Sequence, residues 1–326
     1  MFAQNEPFII VKGMIQDQSS QAPLPYANIS VHQTSIGTVS NQLGNFQLKI
    51  PATYAEDSLS ISFIGYESIL IPIQVAKEMD QFSLPPFATT IETIVVKGET
   101  GLSILKKAID RIPQNYAMTP FVSGGFYRVS SKKNEKYIHL SEAVFDLYNS
   151  PQKSSQQQFK LNKMRAIKDE SASHGIDLGL KGKTLLEFDL VQDISSTEFL
   201  NKKGLKRHTY KVKGTTFFQD SEAYIIEFDQ KENDNKVGYK GRILIDKENY
   251  AFLYFDIGLS PKGITNFRYG DGAQRMLMKL FDIHIFMEQN DYQITYKKIG
   301  SKYFLSSVGN DARLSFKSSR SHFDFK

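Results

Sequence analysis

Cysteine and tryptophan are absent from the 326 residues. The first absence excludes disulfide staples and thiolate metal sites. It does not choose a compartment, because a protein needs no disulfide to live outside the cytoplasm. No run of eighteen apolar residues occurs, so no transmembrane helix is expected. Charge of one sign is scarce too: 40 Lys and Arg face 35 Asp and Glu, and the excess of +5 is scattered in short knots such as Lys202, Lys203, Lys206 and Arg207. A scattered excess reads as a solvated surface, and nucleic acid is not expected as a partner. Also missing are G-x-S-x-G, the Walker A pattern and a dinucleotide fingerprint. No catalytic residue, metal or cofactor is therefore assigned. What is present, 40% hydrophobic and 12% aromatic residues, is enough to fill the cores of two domains of ordinary size.

From residue 8 to about 73 short β-type runs alternate with turn clusters, the spacing of an antiparallel sandwich. In "NFQLKI" Phe46, Leu48 and Ile50 share one face and Gln47 and Lys49 the other, so one face is core and one is water. The stretch "SIGTVSNQLGNFQLKIP" must reverse the chain between Asn41 and Gly44, which makes Gly44 the residue expected at positive φ. Gly37 and Gly65 are expected to serve a bulge or a close backbone approach, and Pro23 and Pro25 suit a loop before an edge strand.

"VKGMIQDQSSQAPLPYANISVHQTSIGTVSNQLGNFQLKIP", followed by "LSISFIGYES", resembles the carboxypeptidase regulatory-like domain of Bacteroidetes envelope proteins. The features that carry it are the G-x-(V/I)-x-D strand, "PLPYANI", "GT" before a turn, "GNF" and "SFIGY", over roughly residues 8 to 97. The resemblance implies a transthyretin-like, seven-stranded β-sandwich without catalytic residues of its own, of the kind placed before TonB-dependent receptors or other envelope domains. Met1-Phe2-Ala3-Gln4 resembles the tail of a secretory signal peptide in such organisms, beside the plain reading of an ordinary terminus with its initiator Met. On this reading the protein is exported to the periplasm or the outer membrane, where its partner is an envelope protein or outer-membrane component.

Proline-rich "LPPFATT" opens a linker with a short strand, residues 84–101, between the sandwich at 8–83 and a second domain at 102–326. In "GLSILKKAIDRIPQNY" Leu102, Leu105, Ile109 and Ile112 recur at helical spacing, which predicts an amphipathic helix ending before Pro113. Its basic face is too weak for a membrane-surface helix. The rest returns to strands, with Asp246 to Asn249 turning "RILI" back into "YAFLYFDI". The expected fold class is mainly β: the sandwich, then a curved antiparallel sheet, a half-barrel, partnered by one or two helices. "GRILIDKENYAFLYFDI" and "AYIIEFD" resemble the LolA-like lipoprotein-carrier half-barrel, whose curved sheet encloses an apolar cavity. That is an analogy of architecture and transfers no function by itself. The closing "SRSHFDFK" reads as a strand without a cap, as in a trimmed chain.

The sharpest enzymatic candidate is His139 with Glu142, the His-x-x-Glu spacing of zinc carboxypeptidases. A zinc site needs a third ligand, which only His208 or His284 could bring, and positions three apart on a strand point to opposite faces. His32, His174 and His322 stand singly. "YGDGAQR" lacks the Lys and the strand-to-helix context of a phosphate loop and reads as a turn. Asp169 with Glu170, and Glu227 with Asp229, read as solvated carboxylates. The favoured expectation is a non-enzymatic envelope protein whose sandwich is an interaction or spacer module. The alternatives are a carrier or sensor of an apolar, lipid-like ligand lined by Phe228, Phe252, Leu253, Tyr254 and Phe255, and a hydrolase with an unrecognised site. "YAFLYFDI" sharpens the second: alternation places Tyr250, Phe252, Tyr254 and Asp256 on one face and Ala251, Leu253, Phe255 and Ile257 on the other. Both faces are largely apolar, so something must cover each.

Overall fold

The computed structural model describes residues 7–86, 99–150, 158–169, 189–219, 221–270, 272–280 and 282–318. The Met1–Gln4 start, the strand expected at 90–98, Glu170, His174, His322 and the closing "SRSHFDFK" lie outside the described residues.

Seven strands form the first unit: β1 (Phe8–Asp17), β2 (Asn28–Val31), β3 (Gly37–Val39), β4 (Asn45–Pro51), β5 (Ser58–Ser62), β6 (Ile69–Pro72) and β7 (Gln81–Leu84). They make two sheets, in the orders β4-β1-β7 and β3-β2-β5-β6. One pairing departs from the antiparallel expectation, because β1 and β7 run parallel. The short helix α1 (Ile73–Ala76) lies between β6 and β7, so the chain crosses over and re-enters beside β1 in the same direction. On β4 the alternation holds, with Phe46, Leu48 and Ile50 buried among Val11, Ile15, Ile29, Ile61 and Phe82.

Gly44 sits at φ +75°, and a Cβ there would lie 2.5 Å from the Ile15 carbonyl oxygen, which is backbone and cannot move aside. The Asn41 carboxamide closes the same turn by accepting from the Leu43 and Asn45 amides at 2.9 and 3.0 Å. Gly37 is a close approach, where a Cβ would come within 2.8 Å of the Ile29 carbonyl, whereas Gly65 sits at φ +81° with open space around it.

The second unit starts with α2 (Gly101–Asp110), capped by Thr100, whose hydroxyl accepts from the Ser103 amide while the Ser103 hydroxyl accepts from the Thr100 amide. Ile104, Leu105 and Ala108, with Ile112 of α3 (Ile112–Asn115), are the buried positions, and Leu102 and Ile109 sit at their margin. The buried stripe is thus turned from the one expected, because small Ala108 lets the helix lie close on the sheet. Two sheets follow. One has the order β10-β9-β8, from β8 (Phe121–Lys133), β9 (Lys136–Asn149) and β10 (Gln158–Lys168). The other is a curved antiparallel sheet of six strands in chain order, not closed into a barrel. Its members are β11 (His208–Phe218), β12 (Ser221–Gln230), β13 (Tyr239–Asp246), β14 (Phe252–Leu259), β15 (Ile283–Ile299) and β16 (Lys302–Ser318). Three helices join these strands or lead into them: α4 (Gly204–Arg207), α5 (Pro261–Asn266) and α6 (Gly272–Leu280).

The Asp246–Asn249 turn forms as expected, with the Asp246 carboxylate accepting from the Glu248 and Asn249 amides at 2.8 and 2.9 Å. The face assignment of "YAFLYFDI" is corrected. β13 pairs Ile245 with Phe252 and Leu244 with Tyr254, which leaves Leu253 as the extra residue of a bulge. A bulge shifts the alternation by one, so Phe252 and Phe255 share a face and stack at 5.3 Å. The two units touch where the Lys297 ammonium donates to the Ser30 hydroxyl at 2.6 Å and where Ile64 packs on the core of the second unit.

Replacing Gly44 by Val is expected to destabilise the protein by roughly 1 to 3 kcal/mol, the range for a side chain forced into a strained backbone position. A thermal or urea melt of G44V against wild type measures it, and coincident transitions would refute the role given to the turn.

Candidate functional site

Several of the sequence features singled out as candidates take structural roles, whereas the buried Nδ1 of His139 has no hydrogen-bond partner. Asp17, from the G-x-(V/I)-x-D motif, accepts the Tyr66 hydroxyl of "SFIGY" at 2.6 Å and the Ser19 and Ser20 amides at 2.7 and 2.6 Å. The Tyr66 hydrogen bond, helped by those amides, holds the Asp17 carboxyl down at about 2, while burial and the neighbouring carboxylate push the Tyr66 phenol up to about 12. The positive φ at Gly65 turns the chain just before Tyr66, so two motif segments 49 residues apart, the end of β1 and the turn after β5, are tied together.

His139 and Glu142 are not neighbours in space. Glu142 is clamped between Arg128 and Arg165, its register partners on β8 and β10, and these guanidiniums, Arg165 foremost, hold its pKa below the ordinary carboxylate value. His139 leaves the other face of β9, with its Nε2 2.8 Å from the Ser141 hydroxyl. No group of three or more metal-ligating side chains occurs among the described residues. His208 is a buried structural imidazole: Nδ1 donates to the Gly204 carbonyl at 2.9 Å and Nε2 accepts from the Tyr239 amide at 3.3 Å. Burial keeps it below the ordinary imidazole range, against the pull of that carbonyl. His284 is exposed beside Asp282, and His32 is half-buried. Glu227 pairs with Lys213 at 2.9 Å, Asp229 is exposed, and Asp169 pairs with Lys136 at 3.3 Å. Gly270, in "YGDGAQR", turns the chain at φ +75° shortly before α6.

The five residues expected to line an apolar ligand, Phe228, Phe252, Leu253, Tyr254 and Phe255, are packed against protein side chains. Phe199 stacks on Phe228 at 4.8 Å and meets Phe255 at 6.4 Å, and Phe218 lies 5.6 Å from Tyr254. Ile104, Leu105 and Ala108 of α2 join the same cluster. α2 lies across β11 and β13 so closely that a Cβ on Gly101 would come within 2.7 Å of the Tyr210 carbonyl.

Sequence reasoning missed a buried polar network beside this core. The Tyr296 hydroxyl donates to the Asp189 carboxylate at 2.8 Å and accepts from the Val191 amide at 3.2 Å. Tyr116 packs edge-on to Tyr296 at 5.5 Å and donates to the Phe252 carbonyl at 2.7 Å. Burial raises the Asp189 carboxyl to about 6, opposed by the Tyr296 hydrogen bond. The only local signal was a lone Asp before an apolar Leu-Val pair, which is too common to single out.

Residues 11–96 match the family model described as CarboxypepD_reg-like domain, so the N-terminal part carries such a domain. No curated protein matches the chain. Among solved structures, a LolA superfamily protein from Nitrosomonas europaea aligns over 70% of this chain and 90% of its own at 10% identity, with a TM-score of 0.27. A protein from Bacteroides fragilis, described as membrane-associated and of unknown function, aligns over 94% and 98% at 10% identity, with a TM-score of 0.19.

A carboxyl whose folded pKa is about 6 against 3.8 when unfolded binds more protons in the folded state between those values, so its contribution to stability falls as pH rises from about 4 to 6. Asp189→Asn, which keeps an acceptor for Tyr296, is therefore expected to raise stability at pH 8 by about 3 kcal/mol and to change it little at pH 4. Urea melts of both proteins at the two pH values check this; an equal difference at both would show that the carboxyl does not titrate in that window.

Proposed function

We propose that this chain is a non-enzymatic protein of the cell envelope, in which the seven-stranded sandwich is an interaction and spacer module seated on the six-stranded sheet. The observation that carries the reading is the use of the family-matched segment. Asp17 and Tyr66 bond each other, Gly44 makes a turn, and Phe46 and Leu48 fill the core. The matched residues thus hold a scaffold together, and none of these is left over as a reacting group. In the second unit Glu142 is neutralised by two guanidiniums and His208 uses both ring nitrogens. A scaffold of this kind acts through its surface, and the sandwich exposes Leu43 and Leu70 on its outside.

Fractionation of cells expressing a tagged full chain, with a photo-crosslinking residue at Leu43 or Leu70, tests the reading. The expected result is recovery with envelope material and one discrete crosslinked species. Recovery in the cytosol, or turnover of an ester or peptide substrate by the purified protein that is abolished by His139→Ala or by zinc chelation, would overturn it.

A further inference from the structure

We propose that the outer face of the three-stranded sheet β8–β9–β10 is a docking surface for an anionic phospholipid bilayer. The proposal extends the envelope reading by naming what one face touches. Its test, made on vesicles, can fail independently of where the protein sits in the cell.

Two properties coincide on this sheet. The first is apolar exposure: of the nineteen large apolar side chains exposed among the described residues, eight belong to these three strands. Register places five of them on one face, while Leu161 and Met164, opposite Phe145 and Ala143, lie on the other. Val122 is paired with Tyr148 and Phe126 with Val144 on one face, with exposures of 66, 41, 60 and 45%, and Ile167 lies further along the same face at 66%. The buried side of the sheet lies opposite, where Phe145 leans across Gly125 and stacks on Phe159 at 4.2 Å. Exposed apolar side chains gathered on one face and rimmed by polar residues mark an interaction surface.

The second property is charge. β8, β9 and β10 carry eight Lys and Arg against two carboxylates, a net of +6, whereas the whole chain carries +5. The rest of the protein is within one charge of neutral, and on the outer face of this sheet Arg128, Lys132, Lys160, Lys163 and Arg165 stand against Glu142 and Asp146, while Lys133, Lys136 and Lys168 lie on the other face. Lys160, Lys163 and Arg165 of β10 stand on the same face as Phe126 and Val144, by register with Asp146, Val144 and Glu142. Both carboxylates there are already paired, Glu142 with Arg128 and Arg165 and Asp146 with Lys160. Glu135 and Asp169, just beyond the strand ends, pair with Lys132 and Lys136.

An apolar patch bordered by long basic side chains matches the boundary between acyl chains and acidic headgroups. Val, Phe and Ile enter the apolar side, and the Lys and Arg stems reach back to the phosphates. Single-stranded nucleic acid fits less well. A stacking platform needs free aromatic faces, and here three of the five side chains named are aliphatic, while the Phe126 ring already has the Arg128 guanidinium 5.5 Å from its centre.

Flotation of the full chain with vesicles of phosphatidylcholine alone, and of phosphatidylcholine mixed with phosphatidylglycerol, tests the proposal. Wild type is expected to float with the mixed vesicles, weakly or not at all with the neutral ones, and less as salt is raised. Lys160→Gln with Lys163→Gln should lower the partition coefficient by about twenty-five-fold, near fivefold per cation. Phe126→Ser should lower it without changing the salt dependence, and Val75→Ser, on the sandwich, should leave it unchanged. Circular-dichroism melts confirm that each variant is folded. Equal binding to both vesicle types, no binding, wild-type partition of the β8–β10 variants, or tighter binding to polyuridylate than to the mixed vesicles would each overturn the proposal.

Discussion

The second unit is organised by a strand that is apolar on both faces. Phe252, Leu253, Tyr254, Phe255 and Ile257 are all buried, and a strand of that composition is unstable unless each face meets other side chains, because each fully buried large apolar side chain is worth about 1.5 to 3 kcal/mol. It therefore lies inside the six-stranded sheet, with β13 and β15 as neighbours, and it draws α2 and the Phe199 segment onto the same core. The bulge at Leu253 refines this by placing Phe252 and Phe255 on one face, where they meet each other, Phe199 and Tyr296. Filling of that core by aromatic rings leaves the five presumptive lining residues in contact with protein.

The sandwich relies on a different device. Its core is aliphatic and regular, and the polar link between Asp17 and Tyr66 lies at its edge, where a charged acceptor and a phenol give one well-oriented bond between distant segments. The Lys297 ammonium reaching Ser30 and the packing of Ile64 on the second core join the two units at a small contact. Polar groups thus set orientation while apolar burial supplies most of the stabilisation.

Buried ionisable groups divide into two kinds. Glu142 and Asp17 have donors that favour the charged form, whereas Asp189 is desolvated with one phenol and nearby amides for partners and rises to about 6. Asp17 and Asp189 each have a phenol and backbone amides as donors, so the difference is desolvation, which at Asp189 outweighs the donors and at Asp17 does not, while Glu142 has two arginines on adjacent strands. β8–β9–β10 differs from both cores in that its outer face combines unburied apolar side chains with five cations against two carboxylates.

Local pattern alone determined the strand-rich class, the alternation of β4, the turn at Gly44, the Asp246–Asn249 hairpin and the existence of α2, because each depends on neighbours within a few residues. The identity of the first domain was also legible, since its motif glycines, Asp17 and Tyr66 are fixed by backbone geometry and one bond. Tertiary structure decided the rest. β10 had no apolar alternation to announce it, with Lys160, Lys163, Arg165 and Lys168 along its length, and it becomes a strand by pairing with β9. The parallel β1–β7 pairing and the bulge at Leu253 depend on which strands meet. So do the Asp189–Tyr296 bond, between residues 107 apart, and the gathering of scattered cations onto one sheet, because charge and hydrogen-bond partners that are distant in the chain become neighbours only when strands are laid side by side.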